Sequence, residues 1–271
     1  MPIRAFDNKV AVVTGGGGGI GLAIAERFGA LGCHLALVDI HADRLRSAKQ
    51  RLDGAGRVVT IHECDVADNR QVLTMRDQVV RAHGRVNILV NNAGVSLAGS
   101  FLDTSLDDLD WVMRVNFWGV VYCCKAFLPS LLGEREAQII NMCSSFGLLG
   151  FAGKTGYSAS KFAIRGFSEA LRMELASAGV GVTVIYPGPV RTNLLIDGRA
   201  VSETQRQAEM DFLTSRAVSA DRVASKVIGA IRRNPSRVRI SLDYAVIDWL
   251  TRLSPALAQS FGAWAARKTP F

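Results

Sequence analysis

Apolar positions along this chain fall into short, β-branched runs that alternate with stretches of helical period, almost without interruption. Val10-Ala-Val-Val13 leads into Thr14 and the five glycines Gly15 to Gly19, and the chain then resumes as an amphipathic segment through Phe28, which reads as strand, tight turn, helix. Further strands are predicted at His34–Val38, Val58–His62, Val86–Val90, Gln138–Ser145 and Val182–Tyr186, with Arg237–Ile240 as an edge strand whose charges discourage further pairing. Helices are predicted over about 68–82, 106–132 and 220–233, and from Tyr157 onward. Near the end, Val246, Leu250, Leu253, Leu257, Phe261 and Trp264 make one apolar helical stripe that Pro255 interrupts. Two short helices are expected there, one ending near Leu253 and one opening at Ser254 or Pro255, with the stripe covered by protein in preference to a membrane surface.

Composition narrows the class. With 49% hydrophobic residues in 271, the chain can bury one large α/β core or two small ones. Its net charge of +8 invites a nucleic-acid reading, but 24 acidic residues are interspersed with 32 basic ones and no aromatic–basic ladder occurs, so a solvated surface is expected. Five cysteines, odd in number and without paired ligand spacing, read as reduced core residues and imply no metal. The N-terminus lacks the apolar region of a signal peptide, and no long apolar run free of charge is evident, so a cytoplasmic protein is expected.

The glycine stretch carries the first candidate chemistry. Glycine at Gly15, Gly19 and Gly21 lets the backbone turn sharply and brings a dinucleotide pyrophosphate against main-chain N–H groups at a helix N-terminus. A flexible linker is the alternative, disfavoured by its position between a buried strand and an amphipathic helix. Asp39 closes the second strand where an acid meets the adenosine ribose; a carboxylate there accepts from both ribose hydroxyls of NAD and repels the 2′-phosphate of NADP. The alternative reading of Asp39, less favoured, is a cap for the helix beginning near His41.

Asn91-Asn92-Ala93-Gly94, at the end of a strand, either braces a cofactor wall or makes a turn. Asn116, among apolar neighbours in mid-helix, must find hydrogen-bond partners, and structural and catalytic roles are both open. Tyr157 and Lys161 are four apart and share one helix face. An ammonium and a cationic nicotinamide beside a phenol favour its ionised form, so Tyr157 can exchange a proton with a substrate oxygen that Ser144 hydrogen-bonds. Taken alone, such a pair is most often surface decoration.

Together, Thr14-Gly15-x-x-x-Gly19-x-Gly21, Asn91-Asn-Ala-Gly94, Asn116, Ser144, Tyr157-x-x-x-Lys161 and Pro187-Gly188-Pro-Val190-Arg-Thr192 resemble the short-chain dehydrogenases/reductases over about residues 8–240. The resemblance implies a single α/β domain: one Rossmann-like, doubly wound parallel sheet of about seven strands with helices on both faces, here followed by a helical C-terminal extension over about 243–271. It implies Tyr157 as general acid/base, Lys161 holding the nicotinamide ribose and lowering the tyrosine's pKa, Ser144 orienting the substrate oxygen with Ser145 one position off register, and Asn116 sustaining a water-linked proton relay through Lys161. The cofactor is implied to lie against Gly15, Gly18, Gly19 and Ile20 at the pyrophosphate, Asp39 at the ribose, Asp65 and Val66 at the adenine, Asn92, Ala93 and Gly94 along the wall, and Pro187, Gly188, Val190 and Thr192 at the carboxamide. Gly17 and Gly18 stand where many relatives carry serine or a basic residue that recruits NADP, which agrees with Asp39 in pointing to NAD. A homodimer or homotetramer is also implied.

An oxidoreductase of secondary alcohols or ketones is therefore the expected function. A dinucleotide-sensing protein would need no proton-transfer group, and epimerase, dehydratase or enoyl reductase relatives would show greater length or another tyrosine-to-lysine spacing. A cover over about 188–218, with Leu194, Leu195, Ile196, Met210, Phe212 and Leu213, faces Phe146, Leu148 and Phe151 and favours bulky hydrophobic substrates over polyols and sugars.

Overall fold

The computed structural model describes residues 2–54, 56–190, 194 and 196–266, apart from the side chains of a few positions in the last third. Thr192 and Leu195 lie outside the described residues, as do the side chains of Phe212, Leu213, Phe261 and Trp264.

In chain order the elements are β1 (Val10–Thr14), α1 (Gly19–Ala30), β2 (His34–Asp39), α2 (Ala42–Leu52), β3 (Val59–Glu63), α3 (Asn69–His83) and β4 (Ile88–Asn91). Next come β5 (Leu97–Ala98), α4 (Leu106–Met113), α5 (Gly119–Leu132), β6 (Ala137–Met142), α6 (Thr155–Glu174) and β7 (Val180–Tyr186). Then follow β8 (Arg199–Ala200), α7 (Glu203–Arg216), α8 (Ala220–Arg233), β9 (Arg237–Arg239), α9 (Leu242–Leu253) and α10 (Pro255–Ala266).

Seven strands pair in the order β3-β2-β1-β4-β6-β7-β9, every pairing parallel. The continuous apolar runs are the buried strands of this sheet: every residue of β1, β4, β6 and β7 is buried, because a parallel sheet is covered on both faces. One face packs on α1, α2 and α8 through Ile24, Phe28, Leu45 and Val227, the other on α3, α5 and α6 through Val72, Met75, Phe127 and Ile164. The strand order reverses between β1 and β4, and a crevice opens at their carboxyl ends, where doubly wound sheets bind ligands. A separate two-stranded pairing, β5 with β8, ties the cover to the body.

The predicted 106–132 helix is continuous but not uniform: Arg114–Trp118 is a π-turn between α4 and α5, with Asn116 at its centre. On composition that helix is long and apolar enough to cross a bilayer; here α5 packs against β4, β6 and α3. The C-terminal pair is as expected, α9 ending at Leu253 and α10 opening at Pro255. Cover for its apolar stripe, expected from the chain itself or from a partner subunit, is incomplete within the one chain. Val246, Leu253 and Leu257 of the predicted stripe are exposed, and Asp248 is fully buried instead. Asp248 pairs with Arg237 and Arg239 of β9, and within α9 with Arg252, so its buried carboxylate turns inward to meet the two guanidinium groups of β9.

Candidate active site

A cleft of about 420 Å³ runs across the carboxyl edge of the sheet from Gly15 to Glu209. Its phosphate end is built by glycines. Gly15 and Gly19 adopt φ of 63° and 53°, and a Cβ on Gly21 would lie 2.0 Å from the Gly15 carbonyl oxygen. Gly18 caps α1 without a side chain, so the helix offers bare N–H groups to an anion. Thr14 and Asn92 lock this loop to β4: Thr14 Oγ1 accepts from the N–H groups of Asn92 and Ala93 at 2.9 and 3.0 Å, and Asn92 Nδ2 donates to the carbonyls of Thr14 and Gly15 at 3.0 and 3.3 Å. Asn91 instead points into the core, donating to Asn141 Oδ1 at 2.8 Å. The asparagine pair thus braces a wall and makes no simple turn. These backbone positions fit a dinucleotide pyrophosphate.

Asp39 lines the same cleft. It accepts from the Gly17 N–H at 3.0 Å and the His41 N–H at 3.1 Å, while the N-cap of α2 is His41, so Asp39 is not the cap. A basic group that the sequence did not single out stands beside it: Arg44, on α2, is held in a two-pronged pair with Asp197 of the cover at 2.5 and 2.8 Å. Asp65 and Val66 line the cleft beyond, and Asn92, Ala93, Gly94, Pro187, Gly188 and Val190 line its other half. A Cβ on Gly188 would lie 2.2 Å from the ring of Tyr244, so the C-terminal extension seals this loop from behind.

Ser144, Tyr157 and Lys161 meet at the centre. Helix α6 starts at Thr155, two residues earlier than predicted, which sets Tyr157 and Lys161 on its buried face. Ser144 stands beside Tyr157, where its hydroxyl favours the ionised phenol, and its Oγ accepts from the Phe146 N–H at 3.3 Å. Ser144 lines the cleft and Ser145 does not. Lys161 Nζ lies 5.5 Å from the centre of the Tyr157 ring and donates to the Met142 carbonyl at 3.4 Å. Burial pushes the Tyr157 phenol up, with the neighbouring Ser144 hydroxyl pulling the other way, and burial lowers the Lys161 ammonium to about 8. In the protein by itself the loss of solvation outweighs the stabilising contacts, whereas the field expected to draw the phenol down is that of Lys161 together with a cationic nicotinamide.

Asn116 finds the hydrogen-bond partners that its burial demands. It is fully buried: Oδ1 accepts from the Val95 N–H at 2.8 Å, and Nδ2 donates to the Val95 carbonyl and to Ser160 Oγ, both at 3.0 Å. Its side chain thus braces the Val95 backbone, and it stands near Lys161: a Cβ on Gly94 would lie 3.0 Å from Asn116 Oδ1 and 3.5 Å from Lys161 Nζ. Of the predicted cover, Phe146 and Leu194 line the cleft, Leu148 belongs to the core, and Ile196 and Met210 face outward. The sequence did not mark Ser96, Trp111, Lys154 and Glu209, which line the cleft near Tyr157; the one available signal was Lys154, a charge three residues ahead of Tyr157.

Residues 9–202 match the profile of the short chain dehydrogenase family. The meso-2,3-butanediol dehydrogenase of Serratia marcescens is 36% identical over 78% of this chain and 88% of its own. A short-chain dehydrogenase/reductase from Burkholderia phymatum, solved in complex with NAD, superposes with a TM-score of 0.86 at 32% identity, over 94% of this chain and 96% of that one. A metagenomic short-chain oxidoreductase in complex with NADP superposes with a TM-score of 0.72 at 28% identity, over 87% and 99%. The site geometry and these likenesses converge: the chain belongs to the short-chain dehydrogenase/reductase family, oxidoreductases whose Rossmann-like sheet binds a nicotinamide cofactor.

Proposed function

We propose that this protein transfers a hydride between NAD(H) and the carbinol or carbonyl carbon of a secondary alcohol or ketone, with Tyr157 as the general acid/base. The observation that carries the reading is the meeting of Ser144, Tyr157 and Lys161 on the wall of a cleft whose other end is a glycine phosphate cradle. Bound along that cleft, the nicotinamide supplies the hydride donor or acceptor. Ser144 orients the substrate oxygen, and the Tyr157 hydroxyl holds the proton which that oxygen gains on reduction and loses on oxidation. Lys161, with no carboxylate partner among the described residues, stabilises the phenolate and steadies the nicotinamide ribose.

Asp39 at the ribose end and the engagement of Arg44 by Asp197 support NAD over NADP. Trp111, Val115, Phe146 and Leu194 give the substrate half an apolar wall, which favours bulky hydrophobic substrates. A homodimer or homotetramer is supported by the exposed apolar face of the 106–132 and α6 helices, where Leu106, Trp118, Phe162 and Met173 face outward; light scattering at micromolar protein checks it. The function is tested by a panel of secondary alcohols and ketones with each nicotinamide cofactor, read at the nicotinamide absorbance. Turnover of secondary alcohols or ketones with NAD(H) is expected, and no turnover across that panel refutes the reading.

A further inference from the structure

The mechanism leaves one buried charged group in the cleft unused. Lys154, immediately before α6, is buried, and its Nζ lies 5.7 Å from the centre of the Tyr157 ring, on a side chain distinct from Lys161. It is ion-paired with Glu209 of α7. Ser96 joins them: its hydroxyl donates to Glu209 Oε1 at 2.7 Å and accepts from Lys154 Nζ at 3.0 Å. All three line the cleft. Glu209 Oε1 is therefore doubly engaged, while Oε2 has no partner among the described residues.

A buried ion pair is costly to desolvate, and a wall of hydrocarbon would serve a purely hydrophobic substrate at least as well. The arrangement therefore has a reader's chemistry: an open carboxylate oxygen to accept, an ammonium to donate, and no net charge. A second carboxylate brought here would face Glu209, and a second cation would face Lys154. A neutral oxygen-bearing group suits both, a hydroxyl donating to Glu209 or a carbonyl accepting from Lys154. Because the pair adjoins the phenol that handles the reacting oxygen, the second oxygen belongs on the neighbouring carbon.

We propose that Lys154 and Glu209, held by Ser96, select substrates that carry a second neutral oxygen vicinal to the reacting carbon: a diol, a hydroxyketone or a diketone on an otherwise apolar frame. The inference rests on the oxidoreductase reading above. Glu209 comes from the cover and Lys154 from the body of the domain, so the subsite is complete only with the cover seated.

The test is a ratio of ratios, which cancels both intrinsic reactivity and any general loss of activity. Catalytic efficiency is measured for cyclohexanol against cyclohexane-diol and for propiophenone against its vicinal diketone. The enzymes are the wild type, Glu209→Gln and the double variant Lys154→Met with Glu209→Leu, each checked for folding by thermal melting. The double variant replaces the pair with apolar groups of similar size, an exchange that buried pairs often tolerate. The preference for the oxygenated member is expected to fall by at least about tenfold in the double variant, as when a polar site loses its partner, and by less in Glu209→Gln, which keeps one oxygen. An unchanged ratio, or an α-keto acid turned over better than either class, overturns the inference while turnover of the simple alcohols leaves the dehydrogenase reading standing. Failure of every member of the panel to react with either cofactor removes both.

Discussion

The Lys161 ammonium stands 5.5 Å from the centre of the Tyr157 ring, one helical turn further along α6. Both groups are buried, and burial acts against the charged form of each, raising the phenol and lowering the ammonium to about 8. In the protein alone burial thus favours the protonated phenol, the form that ketone reduction requires. Alcohol oxidation requires the phenolate, so its rate is expected to climb with pH while reduction stays level through neutrality. Tyr157→Phe should remove that climb and cut kcat by about 10² or more, with NAD(H) affinity nearly intact by fluorescence titration. Lys161→Ala should damage both turnover and cofactor affinity. Retention of more than about a tenth of kcat in Tyr157→Phe would contradict the assigned role.

Cofactor choice is expected to follow Asp39, with NAD(H) preferred in kcat/KM and the preference relaxed in Asp39→Ala. Arg44 adds a second lever. Asp197→Asn should release its guanidinium and improve the KM for NADP(H) further, since Arg44 is otherwise held by both carboxylate oxygens. Equal efficiencies with the two cofactors in the wild type would dismiss this account.

Asn116→Ala strands the N–H and carbonyl of Val95 at once. The expected loss is about 2–3 kcal/mol of stability by denaturant unfolding. A proton relay running through the side chain predicts the opposite pattern, lost turnover at unchanged stability, and the two measurements together separate them.

Gly188→Ala should weaken cofactor binding or lower the melting temperature, because its new methyl group would meet the Tyr244 ring. Tyr244→Ala in the same chain should restore much of what was lost. Additive effects of the two substitutions would show that the C-terminal extension does not press on this loop.

Acid stability should depend on the Thr60 hydroxyl, which bridges His62 and His83 at 2.8 Å to each. Burial and the neighbouring His34 and His62 lower His83 to about 4 from its ordinary 6.5, and burial also lowers His62. The unfolded chain then binds more protons than the folded one in this window, so the stabilisation present above pH 6.5 is lost as pH falls toward 4. After discounting for partial exposure, the His83 share is about 1–2 kcal/mol. His83→Gln should flatten the fall in melting temperature between those limits; an unchanged slope would show that the ring does not titrate as described.

The alternation of strand and helix, the glycine turn and the order of Ser144, Tyr157 and Lys161 were legible in the sequence. Each depends on residues near one another along the chain: β-branched runs make strands, glycines permit positive φ in a tight loop, and a four-residue step aligns two side chains on a helix. The predicted cofactor residues within the described part, from Gly15 to Val190, line one cleft for the same reason: strand ends in a parallel sheet converge on one edge. What the tertiary structure alone decided are the partnerships between distant residues. Lys154 meets Glu209 across 55 positions and Arg44 meets Asp197 across 153, and no local period encodes either pairing. For Asn116 the fold supplied partners that no local pattern names, the Val95 backbone and Ser160. In α9, hydrophobic spacing gave no sign that Asp248 is buried, because it takes no account of Arg237 and Arg239 of β9, whose charges meet it there. Periodicity reports what a segment can bury; which segment it meets, and whether charge overrules apolar area there, is settled only when the chain folds back on itself.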